Sequence, residues 1–97
     1  MAKLEVRREF PGKDSGECYQ AGLRIVEKAG YQIFKKREIA SLVICEGKID
    51  GHNLNLSVVV PFGFPTHVVI TLTSEAANET LLSSEADRLF ALLEKEL

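Results

Sequence analysis

A chain of 97 residues holds one domain and has no room for a second. Its 45% hydrophobic and 27% charged content excludes a disordered composition, and its formal net charge of −2 argues against a dedicated nucleic-acid binder. No apolar run approaches the ~20 residues of a membrane span, and Met1–Phe10 alternates charge with hydrophobe instead of forming a signal-peptide core. A cytoplasmic protein with no membrane association is expected.

Leu4, Val6 and Phe10 alternate with Lys3, Glu5, Arg7 and Glu9, the pattern of a half-buried strand over residues 3–9. Arg8 breaks the apolar phase, which places the end of that strand near a sheet edge. Pro11-Gly12-Lys13-Asp14 forms a turn, and Asp14 with Glu17 suits a capping box. The helix that follows, over residues 15–29, carries Cys18, Ala21, Gly22, Ile25 and Ala29 on one side, with Val26 beside them. Ala21 and Gly22 allow close packing, and Gly30 suits a left-handed cap.

Residues 31–38 read as a second strand carrying Tyr31, Ile33 and Phe34 before a charged run, and residues 41–50 as a third. Asp50-Gly51 is a strong hairpin signal, because both residues tolerate left-handed dihedrals. It leads into a fourth strand over residues 52–60. A hairpin centred there groups Val43, Cys45 and Ile49 with Leu54, Leu56, Val58 and Val60. Pairing Val60 near Thr66 then sets the same face against Val68, Ile70 and Leu72. Both turns select one apolar face, and a one-residue slip would turn it outward. The opposite face mixes Asn53, Asn55, Ser57, Thr71 and Thr73 with Leu42, Ile44, Val59 and Val69, more apolar than a solvated face requires.

Beyond Leu72 the period changes. Residues 74–80 read as a loop or a fraying first turn, and Leu82, Ala86, Leu89, Phe90, Leu93 and Leu97 recur at helical spacing, with Asn78 or Ser83 as cap. The expected architecture is an α+β two-layer sandwich, β-α-β-β-β-β-α, with an antiparallel curved sheet and both helices on one face. In topology this is similar to reduced helix-grip domains, in which a curved sheet wraps a long C-terminal helix. No residue motif carries that likeness, and fold alone does not fix function.

Candidate chemistry is sparse. His52 and His67 lie at opposite ends of the fourth strand, roughly 25 Å apart at about 3.3 Å per residue, too far for one metal site. Cys18 and Cys45 read as buried thiols, not as a disulfide or a metal pair. Cys18 sits near a helix N-terminus, but Glu17 beside it opposes a reactive thiolate. With no phosphate loop, serine elbow or paired carboxylates, no catalytic residue, metal site or cofactor is assigned. Lys35-Lys36-Arg37 is the one basic cluster, open to phosphates or an acidic partner but more simply a solvated strand end.

Two readings follow, both non-enzymatic. One is a protein-interaction domain, self-associating or binding an unknown protein partner through the outer sheet face, with Leu42, Ile44, Val59, His67 and Val69 as its interface. The other is a small apolar ligand held between sheet and C-terminal helix by Val58, Val68, Leu89 and Phe90, rimmed by Phe62 and Phe64 of the proline-bracketed loop. One of those two phenylalanines is expected to fold back over the end of the C-terminal helix. Nucleic-acid contact through the basic cluster is a lesser alternative.

Overall fold

In a computed structural model, which describes residues 2–97, strand β1 (Ala2–Glu9) leads through helix α1 (Ser15–Lys28) into β2 (Gln32–Arg37). Then come β3 (Leu42–Ile49), β4 (His52–Val59), β5 (His67–Ser74) and helix α2 (Glu79–Glu96). The strands form one antiparallel sheet in the order β1-β5-β4-β3-β2, and both helices cover one of its faces. The α+β two-layer architecture is therefore the one expected from the sequence.

Local chemistry sets the element ends. Asp14 caps α1, its carboxylate accepting the Glu17 amide at 3.2 Å. At the other end Gly30 takes φ +94, letting the Gly30 amide donate to the Glu27 carbonyl and the Tyr31 amide to the Val26 carbonyl. That pair of bonds is a Schellman motif, and the buried Tyr31 and Val26 supply its apolar contact. Of the two cap candidates for α2, Asn78 takes the role, accepting the Leu81 amide at 2.8 Å. Asp50 and Gly51 both have positive φ and join β3 to β4 with Ile49 opposite His52.

The inner face is the one the register argument selected. Val43 faces Val58 and Cys45 faces Leu56, while Leu56 faces Leu72 and Val58 faces Ile70. These side chains are buried with Ile25 and Val26 of α1 and with Leu82, Leu89, Phe90 and Leu93 of α2. The pairing across the proline loop differs from the expectation by two residues. The ladder ends at Val59 opposite Val69, so its continuation sets Val60 against Val68, not Thr66. A two-residue shift preserves the face, which is why the apolar pattern could not detect it. It leaves residues 60–66 as a wider loop.

Two small residues set interlayer spacing. A Cβ at Gly22 would lie 3.4 Å from Val58, so α1 rests directly on β4. A Cβ at Gly47 would come within 2.5 Å of the Tyr31 ring, which occupies the space that a side chain there would fill. Arg8, out of phase in the sequence, turns to the inner side of β1. Its guanidinium lies 4.5 Å above the Phe90 ring and 3.4 and 3.6 Å from Glu94 and Asp87, closing the edge of the core with a charged lid.

Candidate interaction surface

The two halves of the expected ligand site are not brought together. Val58, Val68, Leu89 and Phe90 have no exposed surface and pack within one continuous core. Phe62 and Phe64 do not fold back over α2. They stand 84% and 99% exposed in the loop between β4 and β5, where Gly63, at φ +129, turns the chain. The depression beside them, about 180 Å³, is bounded by Lys13, Asp14, Ser15 and Thr66, none of them from the expected wall. The physical reason is packing economy. Phe90 already fills the end of the core under Arg8, and Val60 and Thr66 close the sheet end, so neither loop phenylalanine has an interior space to enter.

The outer face is organised in rows across the strands. Arg37 on β2, Leu42, Val59, Val69 and Arg7 on β1 stand side by side by successive pairing. The next row is Lys35, Ile44, Ser57, Thr71 and Glu5. A bulge between Ile33 and Lys35 leaves Phe34 as the extra residue with no partner on β3, and Phe34 is 71% exposed. Leu42, Ile44, Val59, His67 and Val69, the expected interface, do share this face. Each is half-buried.

That apolar band runs to one end of the sheet, where the turn after β2 meets the loop after β4. The Val60 amide donates to the Ser41 carbonyl at 3.0 Å, tying the two together. The Phe10 amide donates to the Thr66 carbonyl at 2.7 Å, tying β1 to the same loop. Ile39, 93% exposed in the turn, therefore joins Phe62 and Phe64 at a single pole of the molecule. Sequence reasoning noted the two phenylalanines but missed Ile39 and the outward placement of Phe34. The signal for Ile39 was its setting, an isolated isoleucine between Glu38 and Ala40 in a turn with no apolar partner in register.

Charge frames the band. Arg37 and Arg7 close the ends of one row, with Arg7 3.3 Å from Glu9, and Lys35 and Glu5 close the ends of the next. His67 begins β5 opposite Glu9, with Nδ1 3.1 Å from the Pro65 carbonyl, and His52 lies at the other end of the sheet. Cys18 and Cys45 are both free and fully buried. Burial, then Glu17 and Asp14, raise the Cys18 thiol above its ordinary range; burial, then Glu27, push Cys45 up to about 11. Neither is poised as a nucleophile. Among the described residues no three His, Cys, Asp or Glu side chains converge as a metal site would require, and no helix is long and apolar enough to cross a membrane.

The chain is thus an α+β domain whose core is closed and whose large exposed hydrophobics gather on the sheet side and at one pole. No family model matches it, and no curated protein does. Among solved structures it is similar to TTHA0849 from Thermus thermophilus, at 14% identity over 98% of this chain and 93% of that one, with a TM-score of 0.42.

Proposed function

We propose that this chain is a non-enzymatic protein-interaction domain that docks a partner on its outer sheet face and loop pole. One observation carries the reading. Phe34, Ile39, Phe62 and Phe64 are exposed on that side, continuous with the half-buried Leu42, Ile44, Val59 and Val69, while the core behind them is shut. Arg37 and Lys35 at the β2 end of the band favour a partner that brings carboxylates to that side.

Self-docking through this face would bring together both like and opposite charges. A two-fold axis in the plane of the contact and parallel to the strands would set Arg37 against Arg7 in one row and Lys35 against Glu5 in the next. The proposed partner is a different protein, with self-docking through this face as the alternative. The ligand reading is less well supported, because the four proposed wall residues leave no exposed surface to a guest.

A photo-crosslinker placed in turn at Val59 and at Glu94, on opposite sides of the molecule, tests the proposal in the native cell. The Val59 probe is expected to capture one discrete adduct that is lost when Phe62→Ser and Phe64→Ser are added. Equal labelling from both positions, or an adduct indifferent to the two serines, counts against a dedicated surface.

A further inference from the structure

We infer that two copies of this chain pair edge to edge through β1, joining two five-stranded sheets into one of ten strands. The sheet has two free edges, β1 and β2. At the β2 edge Lys35, Lys36 and Arg37 follow a bulge, so antiparallel self-pairing would set cation beside cation on an interrupted ladder. The β1 edge is the opposite case. Its eight residues pair with β5 without a register shift, and its other side meets no strand among the described residues.

The outward side chains of β1 alternate in sign: Lys3, Glu5, Arg7 and Glu9, all exposed. Antiparallel pairing that sets Val6 against Val6 of a second copy places Lys3 opposite Glu9 and Glu5 opposite Arg7. The two-fold axis repeats both pairs. Every outward position then has an opposite charge across the new ladder. Arg7 already lies 3.3 Å from Glu9 within one chain, so these groups are close enough to form an alternating network. Beneath the sheet, Ala2, Leu4 and Val6 are only half-buried, and a second strand would cover them. Arg8 does not obstruct the edge, because Phe90, Asp87 and Glu94 hold it under the sheet.

This inference stands apart from the partner-docking reading. The axis runs normal to the sheet, so both outer faces remain free and lie side by side in one continuous surface. Pairing through β1 sets charge against opposite charge at every outward position of the strand.

Charge reversal with rescue tests it. Sedimentation velocity of the unaltered chain is expected to give a dimer. Glu5→Lys with Glu9→Lys makes the outward side of β1 wholly positive and weakens association by at least about 30-fold. Lys3→Glu with Arg7→Glu makes it wholly negative and does the same alone, while mixing the two variants restores a one-to-one dimer. Val59→Glu leaves dimerisation unchanged. Amide exchange on the unaltered chain gives an independent reading, with β1 amides more protected as concentration rises. An unaltered chain that stays monomeric, a dimer indifferent to both charge variants, failure to re-associate on mixing, or β1 exchange independent of concentration would each overturn the inference.

Discussion

The contact between Tyr31, Glu85 and Arg88 brings charge into the core. Tyr31 Oη donates to Glu85 Oε2, while Arg88 Nε and Nη2 donate to the two carboxylate oxygens at 2.8 Å each. Arg88 also reaches the Ala29 carbonyl at 3.2 Å, so the network joins α2 to the end of α1. Glu85 is only 4% exposed, and a buried carboxylate is tolerated when its oxygens are occupied. Burial, then the Glu85 acceptor, raise the Tyr31 phenol so that it remains protonated and a donor. Tyr31→Phe removes that donor and is expected to cost about 1–2 kcal/mol in urea unfolding. Gly47→Ala acts on the same ring by steric conflict, with an expected loss of about 1–3 kcal/mol. If the alanine variant unfolds at the wild-type urea midpoint, the ring does not need the bare glycine. The thiols give a further check: Cys18 and Cys45 are expected to react with a thiol reagent only after unfolding, and rapid labelling of the native chain would contradict their burial.

At the scale of elements, Glu96 in the last turn of α2 binds Arg24 Nε at 2.7 Å and Lys28 Nζ at 2.8 Å, fastening the two helices on their outer side. Hydrogen bonds from Lys28 and then Arg24 hold its carboxyl below the ordinary carboxylate range. A folded pKa below the unfolded one stabilises the fold above the unfolded value and loses that effect as pH falls through the folded value. Glu96→Gln is therefore expected to lower Tm at neutral pH and to match the wild type in strong acid. A difference that stays constant across the pH range would mean that the ion pairs do not contribute. The helices and strands themselves were legible in the sequence, because period and caps are local signals: Asp14, Gly30, Asp50-Gly51 and Asn78 each do what their chemistry suggests. Arg8, Tyr31, Gly47 and Glu85 were not assigned these roles. Each is determined by a neighbour far along the chain, Phe90 for Arg8 and Tyr31 for Gly47, and no local pattern records such pairs. The two-residue shift between β4 and β5 escaped for a related reason, since the apolar pattern repeats every second residue and is blind to it.

Across the whole molecule, the side chains that hold the fold and those that face outward are separate sets, and this separation makes the interaction proposal testable. Phe90 lies wholly inside between α2 and the guanidinium of Arg8, so Phe90→Ala is expected to cost about 3–5 kcal/mol and to threaten folding outright. Phe62 and Phe64 bury almost nothing, and their joint replacement by serine is expected to shift stability by less than about 0.5 kcal/mol. Two aromatic side chains kept in water by a stiff loop contribute little to folding, so a purely structural role predicts no consequence from their loss. The docking proposal predicts that the same double variant, unchanged in Tm, loses its partner. If Tm falls by several degrees instead, the loop phenylalanines serve the fold, and the outer pole loses its strongest claim to be a contact surface.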